Sequence, residues 1–178
     1  MRFPDLETRR LHLIETRAEH ADALYSIYSD PAVTFLYPKE PCESLEECRR
    51  VLASMASVNH RRGWRWTLVR RDGRGGTDDE IAGTGGFHAW DRQRREAKHS
   101  YELVPAARGR GLASEAVREA LRYGFAEMGL DRVLAEIHPD NTPSRRLAGR
   151  LGFRQVSHSS RYWRGDSVTY LVFERLAG

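Results

Sequence analysis

Apolar and polar residues alternate closely enough over Leu11–Thr16 to predict a first strand. Thr16-Arg17-Ala18-Glu19 then has the form of a capping box, and Ala21, Leu24, Ile27 and Tyr28 follow at helical spacing. Asp30-Pro31 should end that helix, because proline pushes the residue before it out of the helical region. A second capping box, Ser44-Leu45-Glu46-Glu47, opens an apolar stripe of Leu45, Cys48, Val51, Leu52 and Met55. Pro38 and Pro41 punctuate the loop before it, so two helices joined by a proline-containing loop are expected.

Trp64–Arg71 reads as a strand with Trp64, Trp66 and Leu68 on one face, the two tryptophans as core. Residues 72–80 are turn-rich, and Ile81–Trp90 returns as a second strand, which makes a hairpin with a long loop. A charged loop, Asp91–Lys98, precedes a strand over His99–Val104 that Pro105 stops. From Leu112 the period lengthens to that of a helix, with Gly129 as its C′ residue. A strand over Arg132–His138 follows, with Val133, Ala135 and Ile137 alternating. The next helix takes Thr142 as N-cap, Pro143 at its first position and Gly152 at its end, and Asp166–Leu176 supplies the last strand. The order β-α-α-β-β-β-α-β-α-β predicts an α/β (α+β) fold, a mixed sheet flanked by helices.

The chain has 178 residues, enough for one domain over 1–178 with a real core. No apolar run approaches the ~20 residues of a membrane span. The opening residues carry no apolar signal region, so a cytoplasmic, non-membrane protein is expected. The net charge is +4, and all but two of the 29 basic residues are arginine. These are interspersed with Asp and Glu, which gives little support to an arginine-rich nucleic-acid binder. Cys42 and Cys48 complete no metal-ligand pattern; two reduced structural thiols and no metal are expected.

The junction Arg108-Gly109-Arg110-Gly111 is the most distinctive stretch, because it joins a strand to a helix through two glycines. A helix begins with unpaired N–H groups and a positive dipole end, and glycine lets an anion approach the backbone closely. Gly111 is followed by Leu112, not by Lys-Ser/Thr, so the mononucleotide-binding pattern is absent. Ser114 stands where the dinucleotide fingerprint requires its third glycine. The alternatives left are a cradle for some other diphosphate or a plain helix-entry loop.

Residues 100–153 resemble the core of the GNAT N-acetyltransferases, and more narrowly their RimJ/RimL-like branch. The family's acyl-CoA signature, Gln/Arg-x-x-Gly-x-Gly/Ala, is met by Arg108, Gly111 and Ala113. Ser114-Glu115-Ala116, Asn141-x-x-Ser144 and Leu151-Gly152-Phe153 also match, and the N-terminal segment is similar too. The resemblance implies a mixed, mostly antiparallel sheet whose central parallel strands, His99–Val104 and Arg132–His138, splay apart. It implies acetyl-CoA as co-substrate, with Leu103 and Val104 offering backbone hydrogen bonds to the pantetheine arm. Arg108, Gly109, Arg110, Gly111, Leu112, Ala113 and Ser114 would hold the diphosphate through backbone N–H groups. Asn141 would contact the pantetheine and Ser144 would sit near the sulfur. Homodimers are common in the family.

Acetyl transfer needs a neutral amine, and a chain-terminal amine (pKa ~7.7–8.0) meets that need more readily than a lysine side chain (~10.4). The resemblance sets Val104 N–H toward the oxyanion. Glu102 and Glu136, one on each central strand, are the candidate bases, and Glu136 falls where some family members carry a catalytic Glu. Each could instead be an exposed strand carboxylate or a partner for an arginine, and a water chain without an essential base is a third route. Ser144 is the candidate donor to the leaving thiolate, or else a first-turn helix serine. The tyrosine that several members use falls here at Ala148. His88, Trp90 and His99 could line an acceptor pocket, shaped by the N-terminal helices and the Asp91–Lys98 loop, or could simply pack. The expected activity is acetyl transfer to a protein N-terminus, amino acid, polyamine or drug amine; a non-catalytic acyl-CoA-binding module is the rival.

Overall fold

A computed structural model describes residues 3–37, 39–57, 61–71, 81–163 and 165–178. The long hairpin loop over residues 72–80 and Pro38 lie outside the described residues. Among the described residues eight strands form one sheet: β1 (Leu6–Glu7), β2 (Leu11–Glu15), β3 (Trp64–Arg70), β4 (Ile81–Asp91), β5 (Glu96–Leu103), β6 (Arg132–Ile137), β7 (Arg154–Trp163) and β8 (Asp166–Leu176). Their order is β1-β2-β3-β4-β5-β6-β8-β7, and every neighbouring pair is antiparallel except β5 with β6.

Helices cover both faces. On one face α4 (Leu112–Ala126) and α5 (Thr142–Arg150) close a core that includes Leu11, Leu13, Trp66, Phe87, Ala97 and Val133. Trp64 and Trp66 are almost wholly buried, as the strand pattern anticipated. On the other face α1 (Ala21–Tyr28), α2 (Pro31–Thr34) and α3 (Leu45–Ser57) pack through Ala21, Leu24, Ile27, Cys48 and Leu52. Cys42 and Cys48 are free and buried in this smaller cluster, and burial pushes the Cys48 thiol up to about 12. Such a thiol is inert packing at neutral pH.

Several boundaries depart from the sequence pattern for local reasons. Thr16 does not cap a helix; its hydroxyl meets that of Thr67, and a 3-10 turn begins after Arg17, whose N–H donates to His20 Nδ1. Asp30-Pro31 both ends α1 and starts α2, because the Asp30 carboxylate accepts from Ala32 N–H and Pro31 suits the first helical position. The second capping box forms in modified shape: Ser44 Oγ accepts from Glu47 N–H, while Glu47 reaches Glu43 N–H rather than that of Ser44. Asn141, not Thr142, caps α5.

The charged loop expected over Asp91–Lys98 is a four-residue turn. Asp91 Oδ1 accepts from the N–H groups of Gln93 and Arg94 and tightens the hairpin, so Glu96–Lys98 belong to β5. β7 has no counterpart in the pattern. Its residues stay almost entirely exposed at the sheet edge, so it carries no apolar alternation to read.

Candidate active site

The parallel pairing of β5 with β6 lasts for three residues: Glu96 with Arg132, Ala97 with Val133, and Lys98 with Leu134. Beyond that point β5 stays with β4 and β6 stays with β8, and the two strands part. Continuing the register would bring Leu103 against Pro139, which has no N–H to donate. The sheet therefore opens a cleft that starts at Lys98 and widens toward Val104, where the chain turns into α4.

Strand alternation sorts the side chains at this opening. Ala97, His99, Tyr101 and Leu103 face α4 and α5, whereas Lys98, Ser100 and Glu102 face α1–α3. The same parity applies to main-chain groups. Val104 N–H donates to Ala82 O at 3.0 Å and Val104 O accepts from Ala107 N–H, so both are committed within the chain. The N–H expected at Val104 is therefore turned toward β4. Because Val104 and Ala82 form a hydrogen-bonded pair, Leu103 faces the opposite way and presents its N–H to the open edge. Leu103 O, on that same edge, accepts from Arg108 Nε at 3.1 Å.

The loop into α4 behaves as its glycines require. Gly109 and Gly111 have φ of +73° and +76°, left-handed conformations that cost glycine little. Arg108 N–H is spent on Pro105 O at 3.2 Å, so the row of unpaired donors begins one residue later than expected. Among the described residues, no acceptor takes the backbone N–H groups from Gly109 to Ser114. Six consecutive donors at the start of a 15-residue helix are an arrangement able to receive an anion. Glu115 stays out of it: its carboxylate accepts from Arg10 N–H, Arg10 Nε and the Thr8 hydroxyl, which ties the β1–β2 turn to α4.

Both candidate bases are ion-paired. Glu136 lies between Lys98, at 2.6 Å, and Arg161. Burial raises its carboxyl, but bonds from Lys98 and the charges of Lys98 and Arg161 outweigh that and hold it below the usual carboxylate range. Glu102 pairs with Arg65, a guanidinium 9% exposed that also donates to Thr84 Oγ1 and Ser100 Oγ.

On the other side of the opening, Ser144 Oγ lies 2.9 Å from the hydroxyl of Tyr101. Asn141 Oδ1 accepts from Ser144 N–H, which fixes this first turn of α5 and leaves the Asn141 amide nitrogen for other partners. Burial pushes the Tyr101 phenol up, so it stays protonated at neutral pH. Tyr101 escaped the sequence reading. Its place before Leu103 was visible, but its contact with a serine 43 residues later depends on how α5 lies over β5.

The remaining candidates divide. His88 pairs across with Lys98 and shares its face, and Trp90 stacks under the Arg92 guanidinium at the tight turn, away from the widening end of the cleft. The turn itself, Arg92–Arg95, sits at the paired end of β5, so it does not shape the opening as expected. His99 is core: 6% exposed, with Phe87 edge-on at 5.2 Å. Burial, aided by the charge of Arg65, holds its imidazole down to about 3. The unfolded chain takes up that proton near pH 6.5 and the folded chain refuses it. Its contribution to stability is thus complete above about pH 6.5 and lost as pH falls toward 3. About 2 kcal/mol should be gone at pH 5. Thermal melts of His99→Leu should show a shallower decline from pH 7 to pH 5; an unaltered decline would place the acid sensitivity elsewhere.

The architecture is thus a mixed sheet with one parting parallel pair and a glycine-led helix at the opening. Residues 10–154 match the family model of the acetyltransferase (GNAT) domain. The chain belongs to this family and is a GNAT N-acetyltransferase. It is 34% identical over 169 residues to the uncharacterized N-acetyltransferase YoaA of Bacillus subtilis (strain 168), covering 94% of this chain and 93% of that protein. A GNAT-family acetyltransferase from Bacillus anthracis has the same fold, with a TM-score of 0.83 at 20% identity over 97% of this chain and 98% of that one. So has RimL, a ribosomal-protein acetyltransferase solved in complex with coenzyme A, with a TM-score of 0.79 at 21% identity over 97% and 98%. Among the described residues no helix is long and apolar enough to cross a membrane.

Proposed function

We propose that this protein binds acetyl-CoA in the cleft between β5 and β6 and transfers the acetyl group to a primary amine of the chain-terminal or small-molecule kind. The observation that carries this reading is the meeting of two features: a parallel pair that opens after three residues, and a row of unpaired N–H groups at its wide end. The residues fit the cofactor's chemistry. Donors from Gly109 to Ser114 would hold the diphosphate, the Asn141 amide nitrogen would reach the pantetheine, and Leu103 would offer its N–H on the open edge. The motif set and the likeness to RimL support a place in the RimJ/RimL-like branch.

Bound acetyl-CoA supplies a thioester, whose carbonyl the amine attacks and whose C–S bond breaks. Leu103 N–H takes the role expected of Val104 and stabilises charge on the carbonyl oxygen. Glu136 and Glu102, each neutralised by a cation, orient the amine and its water rather than abstract a proton in full. That favours an amine of pKa ~7.7–8.0, partly neutral already, over a lysine side chain at ~10.4. Tyr101 and Ser144 form a hydroxyl relay for the departing thiolate: Ser144 gives up its proton and recovers one from Tyr101, and the proton that the amine nitrogen loses to water on becoming an amide restores the phenol.

Two measurements test the reading. Free-thiol release across a panel of amines should find turnover with chain-terminal or small primary amines; binding of acetyl-CoA without release for any amine would favour the non-catalytic module. Tyr101→Phe and Ser144→Ala should each lower kcat by about 100-fold, the low end of acid–base catalysis, with CoA affinity unchanged. Turnover at the parent rate in either variant removes that hydroxyl from the relay.

A further inference from the structure

A cleft of about 520 Å³ opens beside the start of α4, lined by Arg9, Arg10, Arg70, Arg71, Arg110 and Leu112. Three separate segments deliver its five guanidiniums: the β1–β2 turn, the end of β3 and the loop before α4. Among the described residues Glu7 answers Arg71 at 3.1 Å and Glu115 answers Arg10 at 2.7 Å. Arg9 and Arg110 have no carboxylate partner among the described residues. Guanidiniums gathered in one cleft repel one another. A phosphate relieves that repulsion, and its oxygens match the guanidinium fork.

The cleft adjoins the diphosphate donors. Arg10 Nη1 donates to Arg110 O at 2.9 Å, and a Cβ added at Gly111 would stand 3.5 Å from Arg10 Nη2. A ligand with a diphosphate on the α4 donors and a second phosphate nearby would therefore meet both features. Coenzyme A is such a molecule, because its ribose bears the 5′-diphosphate and a 3′-phosphate monoester. We propose that the arginine cleft binds the 3′-phosphate and makes this enzyme select CoA over dephospho-CoA. The proposal rests on the CoA reading above and assigns work to side chains that reading leaves unused.

Calorimetry at one ionic strength, with CoA, dephospho-CoA and inorganic phosphate as probes, tests it. The parent protein should bind CoA about tenfold or more tightly than dephospho-CoA, the worth of one charge-assisted contact. Arg9→Gln should narrow that gap to roughly threefold or less while dephospho-CoA binds as before. Equal affinity for both forms in the parent overturns the 3′-phosphate site and leaves the CoA reading standing, whereas failure of both forms to bind overturns that reading as well. A gap that survives in Arg9→Gln and also in Arg71→Gln places the discrimination elsewhere and overturns the assignment. If the two forms tie while inorganic phosphate binds in an Arg9-dependent way, the cleft serves a separate phosphate ligand, and the proposal falls.

Discussion

Gly111→Asp is expected to lower CoA affinity by about 100-fold or more, with the fold intact. The effect is electrostatic and local. Gly111 holds φ at +76° as the N-cap of α4, and aspartate is among the residues that tolerate this left-handed conformation best. The backbone cost is about 1 kcal/mol, a few degrees of Tm at this chain length. The new carboxylate would stand among the free N–H groups with Arg10 Nη2 close by, so the site would be filled by an anion of its own. Displacing several charge-assisted bonds, each worth about 1.5–3 kcal/mol, accounts for the loss. Gly111→Asn separates charge from shape and should keep most of the affinity that the aspartate removes. Calorimetric affinity unchanged in Gly111→Asp would mean that the phosphates sit elsewhere.

Gly83→Ala should place one of the most disruptive single methyls in the sheet. Gly83 lies opposite Leu103 with φ at +153°. A Cβ there would fall inside the van der Waals envelope of the Glu102 carbonyl oxygen and lie 2.8 Å from Leu103 Cα. These are backbone atoms of a central strand and cannot rotate away, so β4 and β5 must separate. A cost of roughly 3–5 kcal/mol is expected, or a Tm lower by roughly 10 °C. The shift also moves the strand end that carries Leu103, so CoA affinity should fall with stability. A melting curve within about 2 °C of the parent would show that the sheet absorbs the methyl.

The two variants mark different depths of legibility. The α4 cradle could be read from a short window, because a strand stop, two glycines and a helical period are local features and an anion site of this kind is built from consecutive N–H groups. The same holds for Asn141 and Ser144, which share one helical turn. Gly83 shows the other case. As one of three glycines in β4 it reads as an ordinary strand residue, and only the register against Leu103 makes it irreplaceable. Tyr101 was hidden for a similar reason, and β7 because an exposed edge strand needs no apolar pattern. The expected Val104 donor failed on strand parity: a shift of one residue turns a backbone group from the cleft to the neighbouring strand.

By itself the sequence determined the fold class, the glycine-led strand-to-helix junction, and the resemblance that fixed the family; each resides in local periodicity or in residues a few positions apart. The tertiary structure alone decided which charged and hydroxyl side chains meet. It committed Glu136 to Lys98 and Arg161, bound Glu102 to a buried Arg65, brought Tyr101 to Ser144 and gathered five arginines from three segments. The physical reason is range: hydrogen bonds of the backbone and helical spacing act between near neighbours in the chain, whereas charges and hydroxyls act on whatever the sheet register and helix packing set beside them.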